Sequence, residues 1–543
     1  MKELVADLLS KELKLIKTEI ENLVEIPPNP EMGDYAFPCF SLAKTEKKSP
    51  LLIAEELSKK LRKKGLGKGL EGVDTKAGYV NFFIDKRILA DKVLKGVKIN
   101  KQKKQKIIID FSHPNVAKHF GIHNLRSTLI GNSLYKILKA TGSTMESINY
   151  LGDWGTQFGK LIVAYKKWGK NVKDVDGLNR IYVKFHEQAE KNEELENEAR
   201  AEFKKLEDGD KENKKLWKNF YDLSMKEFKK VYQILNIDFD EIKGESHFND
   251  SSEVRKDLEK KHLLKKSEGA LIVEVSGERP PLIFEKSDEA STYASRDLAS
   301  IYYRENKKPD KIVYVVDVAQ KLHFEQVFEV AKKLGAKSDL IHVIFGRLKF
   351  KDAKMSTRKG NIILFEDLLK KAEEKSLKNI EEKSPHLKNK KEVARKVALA
   401  GIIFNDLKQD IKLDIVFDWD EALSFEGRTG LYLLYSYARA SSIIRKVKSK
   451  KPVKILDLKD EEIKLIKKLL DFPEVVGRAA SNLAPSLIAN YCYELAQIFN
   501  EFYHSCPVLG SKEEGFRLKL VGVFRNVFGD GLGLLGISTL DEM

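Results

Sequence analysis

The 543-residue chain holds only three cysteines, Cys39, Cys492 and Cys506, and no pair of them has Cys-x-x-Cys spacing. That scarcity argues against a disulfide framework and against a structural zinc site, and it suits a reducing compartment. Nowhere is there a run of the roughly 18 apolar residues that a membrane-spanning helix needs. The opening Met1-Lys-Glu-Leu-Val-Ala-Asp7 is charged and amphipathic and lacks a signal-peptide core, so a cytoplasmic protein with no membrane partner is expected. Acidic residues are in deficit: 82 Asp and Glu against 98 Lys and Arg leave a net charge of +16. Such a surplus favours a polyanionic partner, because each phosphate neutralised releases counterions. On charge alone, a merely soluble basic surface is an equally good reading.

What is present is enough for several cores. A content of 42% hydrophobic and 9% aromatic residues argues against general disorder, and the length predicts two to four domains. Residues 1–97 open with a helical pattern (Leu4, Val5, Leu8, Leu9, Leu13, Ile16), pass a Pro27-Pro-Asn-Pro30 breaker, and continue through a second helix near Leu51–Leu61 to a strand-like Tyr79–Ile84, together a small α/β domain. Residues 98–106, polar and basic, form a linker. From 107 to 385, strand-like runs at Ile107–Ile109, Met145–Leu151, Leu271–Val275, Ile312–Val316 and Ile341–Phe345 alternate with helices, which predicts a Rossmann-like, doubly wound parallel sheet. A highly charged stretch, about 165–245, interrupts it and reads as a solvated helical insertion without chemistry. Over 386–543 strand signals vanish and helical spacing recurs, which predicts an all-α bundle.

Two segments carry the functional signal. Asp110-Phe-Ser-His-Pro-Asn-Val-Ala-Lys-His-Phe-Gly-Ile-His-Asn-Leu-Arg-Ser-Thr128 joins an apolar strand to a periodic helix, the geometry that sets a helix N-terminus over a phosphate. Far downstream, Lys354-Met-Ser-Thr-Arg-Lys-Gly-Asn361 is a short basic loop between apolar runs. Gly152-Asp-Trp-Gly155 follows a strand and supplies a second backbone-close turn. Tyr293 and Asp297, four apart, share one face of a helix, which taken alone is an ordinary helix surface.

In this order and at this separation the two segments resemble the signatures of class I aminoacyl-tRNA synthetases, and their surroundings resemble the arginyl-tRNA synthetase family over nearly the whole chain. The further matches are Asn29-Pro-Glu-Met-Gly-Asp-Tyr-Ala36, Gly78-Tyr-Val-Asn-Phe-Phe83, Gly152-Asp-Trp-Gly-Thr-Gln-Phe-Gly159, Gly244-Glu-Ser-His-Phe-Asn-Asp250, Gln320-Lys-Leu-His-Phe324 and Gly531-Leu-Gly-Leu-Leu-Gly-Ile537. The resemblance implies a ligase that activates arginine with ATP, accompanied by Mg²⁺, and transfers it to tRNA(Arg), with a tRNA-elbow-binding N-terminal domain and an anticodon-binding C-terminal one. A monomer is expected.

It also implies site roles. Asp110, Asn115, Tyr293, Asp297 and Gln320 would hold arginine, with Tyr293 and Asp297 at the guanidinium, for which an aromatic wall beside a carboxylate is well suited. His119, Gly121, Gly152, Asp153, Lys354, Met355, Ser356 and Lys359 would bind ATP. Lys118, His123, Asn124, Lys354 and Arg358 would serve the reaction, which needs alignment and charge stabilisation at the α-phosphorus rather than a side-chain nucleophile. Tyr432, Tyr435 and Met543 would contact tRNA, with core packing the competing reading for the two rings. The chain departs from the family where His-x-Gly-His should occupy 121–124 and Gly121-Ile-His-Asn124 stands instead. His119 and His123 are four apart, but Phe120 takes the place of the glutamate in His-Glu-x-x-His, so no metal site is expected. The alternative that this departure raises is a catalytically weakened paralogue acting as a tRNA-binding protein.

Overall fold

The computed structural model describes residues 2–27, 29, 32–287, 291–350, 364–424, 427–447 and 451–543. The chain divides into two units, one of residues 1–97, 446–471 and 498–524, the other of 98–445, 472–497 and 525–543.

In the first unit, an antiparallel sheet places Tyr79–Ile84 between Tyr35–Pro38 and Leu70–Lys76. The helical pattern expected across Leu4–Ile16 breaks into Lys2–Leu9 and Lys17–Leu23, with turns between them. The second helix runs Pro50–Lys64, with Ser49 as its N-cap and proline at the first helical position, where no N–H is needed. Asp34 accepts the Ile84 N–H at 2.8 Å and pairs with Lys467 at 2.5 Å. A buried Glu462–Arg517 pair at 2.7 Å joins two of the helical segments.

The second unit is built on five parallel strands, Lys106–Asp110 (β1), Thr144–Leu151 (β2), Glu241–Gly244 (β3), Lys311–Asp317 (β4) and Asp339–Phe345 (β5), in the order β5-β4-β1-β2-β3. The three isoleucines of β1 are at most 1% exposed, as a strand covered on both faces requires. Ile122–Ala140 (α1) crosses from β1 to β2. Four helices, the last of them Lys211–Leu235 (α2), lie between β2 and β3, and Tyr293–Glu305 (α3) precedes β4. Leu298 and Ile301 of α3 pack with Ile108, Ile148 and Ile312 in one continuous core. The strand order reverses between β1 and β4, so the ligand crevice of such a sheet falls at their carboxyl ends. Register places Asp110, the last residue of β1, beside Tyr314 of β4 and Ile148 of β2.

Three strands fall where the sequence reading did not place them. Leu271–Val275 is not part of the parallel sheet: Ala270–Val273 lies between Leu264–Ser267 and Leu282–Glu285 in a separate antiparallel sheet. The Glu268-Gly269 turn, with φ of 50° and 84°, closes it as a tight hairpin. β3 went unexpected because it is a charged edge strand, held by Glu241 pairing with Lys243 and Lys307 rather than by an apolar run. Within 386–543, Ile415–Phe417 pairs in parallel with Leu348–Phe350, ahead of the helices from Gly430 onward. The other described elements of 386–543 are helices, among them Lys390–Leu407, Gly430–Arg445, Asp460–Asn482, Pro485–Ser505 and Glu514–Leu535.

Candidate active site

The loop leaving β1 is strained. Ser112, His113 and Ala117 have φ of 84°, 51° and 65°, positions that non-glycine residues adopt only when their surroundings hold them there. Here the surroundings are explicit. The Ser112 N–H donates to Ser127 Oγ of α1 at 3.0 Å, and its hydroxyl lies 2.9 Å from the Tyr232 hydroxyl of α2. The Ala117 N–H donates to Ser224 Oγ at 2.8 Å, and the Phe120 N–H to Glu227 Oε1 at 3.0 Å. Ser224, Glu227 and Tyr232 all belong to the charged segment expected to be a bystander, so that expectation is corrected: its last helix is the scaffold of the signature loop. On the β2 side, Val116 N–H donates to the Gly152 carbonyl and Gly152 N–H to that of Pro114. A Cβ at Gly152 would stand 2.0 Å from Asn115 Oδ1, so only glycine permits this approach.

At the crevice between β1 and β4 lies a cavity of about 430 Å³, and Asp110, Asn115, Tyr293, Asp297 and Gln320 all line it. Helical spacing puts Tyr293 and Asp297 on one face of α3, while the ends of β1 and β4 deliver the other three. The cavity also contains groups that sequence reasoning did not single out: Glu245, Tyr150, Tyr314 and His323. Glu245 sits just after β3, and the charged character that hid the strand also hid the residue.

Each of the three carboxylates that line the cavity among the described residues has a basic side chain beside it. Asp110 Oδ2 pairs with Arg304 at 2.7 Å, Glu245 Oε2 with Arg296 at 3.0 Å, and Asp297 Oδ2 with His323 Nε2 at 2.6 Å. Burial pushes the Glu245 carboxyl up to about 8, with the neighbouring Asp297 and Asp153 adding to the effect and Arg296 opposing it. An incoming cation beside a carboxyl raised in this way favours its ionised form.

Of the residues expected around the nucleotide, Gly152 lines the cavity with Asp110 and His119 lines another. Lys354, Met355, Ser356, Arg358 and Lys359 lie outside the described residues. Gly121 is the N-cap of α1 and its backbone bridges to Leu364. Asn124, 5% exposed, accepts the Gly121 N–H at 3.3 Å and turns its amide nitrogen towards the Ser112 and His113 carbonyls at 3.4 Å, tying the helix start to the strained loop. His123 reaches solvent on the first turn, with its pKa lowered by its crowded setting and by Lys118. His119 is held between Glu227 at 3.1 Å and Asp176 at 3.0 Å, with its pKa raised chiefly by Glu227, and it faces a different cavity, of about 240 Å³. Asp153 is 1% exposed and accepts from the Ser246 N–H and hydroxyl, which fixes the turn carrying Glu245. Burial raises its pKa to about 6.

Away from the cavity, Tyr432 is half-buried against Tyr493, with ring centres 5.8 Å apart. Tyr435, 43% exposed, carries the Arg439 guanidinium 4.7 Å above its ring. Met543 is half-buried.

A doubly wound sheet whose switch point holds a buttressed signature loop is the arrangement of a class I synthetase, and the family comparison agrees. The model of the catalytic domain of class I (R) tRNA synthetases matches residues 86–419, the arginyl tRNA synthetase N-terminal domain matches 1–84, and the DALR anticodon binding domain matches 433–543. The arginine–tRNA ligase of Clostridium perfringens is 45% identical over 566 residues, covering all of both chains, and that of Clostridium botulinum strain Langeland is 46% identical over 565, again covering both. Among solved structures, Plasmodium falciparum arginyl-tRNA synthetase superposes with a TM-score of 0.82 at 25% identity, covering 100% of this chain and 98% of that one. The Thermus thermophilus enzyme shares the fold with a TM-score of 0.83 at 24% identity, covering 100% and 99%. The chain belongs to the arginyl-tRNA synthetases of class I.

Proposed function

We propose that this protein is an arginine–tRNA ligase, which joins L-arginine to ATP as arginyl-adenylate, releases pyrophosphate, and transfers arginine to the 3′ end of tRNA(Arg). The observation that carries this reading is the cavity at the β1/β4 switch point, lined by Asp110 together with Glu245 and Asp297, two carboxylates near enough to act on each other. A substrate with a guanidinium at one end and an ammonium at the other offers two cations to those carboxylates, and paired carboxylates suit the planar fork of a guanidinium. Asp297 and Glu245 bind the guanidinium beside the Tyr293 ring. Asp110, Asn115 and Gln320 hold the amino-acid end, so that its carboxylate meets the α-phosphorus in line.

ATP enters with Mg²⁺ on its own phosphate oxygens, so the ion comes with the substrate. Gly121 at the start of α1, Gly152, Lys118 and His123 lie around its phosphates, joined by Lys354, Met355, Ser356, Arg358 and Lys359. Their donors meet charge that develops in the transition state. Asn124 and Asp153 act through the backbone they tie, and His119 is held apart by its two carboxylates. The helical region with Tyr432, Tyr435 and Met543 receives the anticodon arm, and residues 1–97 the elbow. The protein works as a cytoplasmic monomer.

ATP–pyrophosphate exchange with each of the twenty amino acids, with and without tRNA(Arg), tests the reading. Exchange confined to arginine supports it. Tight binding of tRNA(Arg) with no arginine-dependent exchange would replace the enzyme with a tRNA-binding paralogue.

A further inference from the structure

Of the three pairs, the one under Asp110 is built differently. Arg304 lies on the last turn of α3, and its side chain is 1% exposed. It does not line the cavity. Its guanidinium carbon stands 5.0 Å from the Tyr314 ring centre and 5.7 Å from that of Tyr150, and both rings do line the cavity. A buried cation is thus lodged behind an aromatic wall, a setting in which ring faces and a carboxylate together replace water. Nη2 of Arg304 pairs with Asp110 Oδ2 at 2.7 Å. The other oxygen, Oδ1, is buried with no hydrogen-bond partner among the described residues, and His113 Nε2, likewise buried without one, is 3.7 Å away. Buried acceptors normally find donors, so an orphan oxygen at a strand end on the wall of a cavity points to a ligand donor.

We propose that Arg304 is a positioning residue for the α-ammonium of the amino-acid substrate. It takes one oxygen of Asp110, locks the carboxylate against rotation, and leaves the other oxygen to receive an ammonium N–H. This deepens the function proposed above and rests on its allocation of Asp110 to the amino-acid end. The arrangement also sets a guanidinium against a carboxylate only 1% exposed, so that the Arg304–Asp110 pair is neutral as a unit. The substrate's ammonium then arrives with its own carboxylate, so binding adds no net charge at that end.

The test compares arginine with 5-guanidinopentanoate, which is arginine without its amino group. The ratio of the analogue's inhibition constant to the KM for arginine, measured by pyrophosphate exchange with tRNA(Arg) present, reads the ammonium contact alone. A site built around a donor rejects the analogue lacking it, so the wild-type ratio is expected to be large. In Arg304→Gln the ratio should fall at least about ten-fold, because KM for arginine rises while the analogue's constant and the KM for ATP hold. A structural defect would instead weaken both ligands together, and that result overturns the inference. Asp110→Asn separates the inference from the reading beneath it. If Asp110→Asn collapses the ratio and a folded Arg304→Gln does not, the positioning role is wrong and the allocation of Asp110 stands. If Asp110→Asn leaves the ratio intact, the allocation fails and the inference with it. Should Arg304→Gln not fold, Arg304→Lys keeps a cation in the slot without the planar fork. Its ratio is expected to drop by about three-fold or more, and a wild-type ratio there refutes the positioning role.

Discussion

Replacing Asp297 with asparagine keeps the shape of the cavity and removes one negative charge from its guanidinium end. A hydrogen bond to a charged partner contributes about 1.5–3 kcal/mol net. With 1.4 kcal/mol per factor of ten, that range corresponds to a rise in KM for arginine of roughly 10- to 150-fold. Two features place the expectation in the lower half. The Asp297 side chain is 20% exposed, so solvent screens the contact in part, and its 2.6 Å contact with His323 must be shared or released when substrate binds. The variant no longer pays that release, which leaves a rise of about 10- to 40-fold. Arginine-dependent pyrophosphate exchange at saturating ATP and tRNA gives the number directly, and a separate ATP titration should return the wild-type KM. The melting temperature should move little, because the lost pair is partly solvated. A folded Asp297→Asn protein with an unchanged KM for arginine would remove Asp297 from the guanidinium site.

Because burial holds the Glu245 carboxyl at about 8, the folded protein binds a proton there that the unfolded chain releases near 4.5, so this group's contribution to stability falls as pH rises from about 4.5 to 8. Glu245→Gln should flatten that part of the melting-temperature profile. At pH 7, arginine should also displace this proton, seen by calorimetry in buffers of different ionisation enthalpy and absent in the variant. Gly152→Ala forces a Cβ to within 2.0 Å of Asn115 Oδ1, so urea unfolding should show a loss of about 1–3 kcal/mol and kcat/KM for arginine should fall with it; wild-type kinetics would show that Asn115 plays no part in binding. Tyr435→Ala should raise the KM for tRNA by an amount equivalent to roughly 1–3 kcal/mol with the salt slope of binding unchanged, whereas Tyr432→Ala should also lower the melting temperature because that ring packs on Tyr493. Normal tRNA binding by both variants returns the rings to a packing role.

Legibility followed burial. β1 and β4 are runs of β-branched residues covered on both faces, so hydrophobicity alone announces them, and with them the switch point. Tyr293 and Asp297 were readable as neighbours because helical spacing is a local rule. β3 was not readable, since an edge strand held by ion pairs carries no apolar period. Glu245 was lost with it. The Leu271 run misled because apolar runs do not declare whether they pair in parallel or fold back, and the deciding signal was the Glu268-Gly269 turn. The role of α2 was hidden for another reason: its hydrophobic face looks like any amphipathic helix, and the hydroxyls and carboxylate that grip the signature loop differ from solvated ones only by where they land.

That grip has a consequence in time. Ser112 and Tyr232 meet across 120 residues of chain. A ribosome adding about 5–20 residues per second leaves the signature loop waiting roughly 6–24 seconds for the helix that secures it. During that interval β1, α1 and β2 already exist as chain, yet the strained backbone at Ser112 and Ala117 has no hydroxyl from α2 to hold it. The signature loop is therefore a late product of synthesis, completed by a helix that contributes no residue to the β1/β4 cavity. A nascent chain released before residue 211 would carry the whole first signature and still lack the conformation that makes it one.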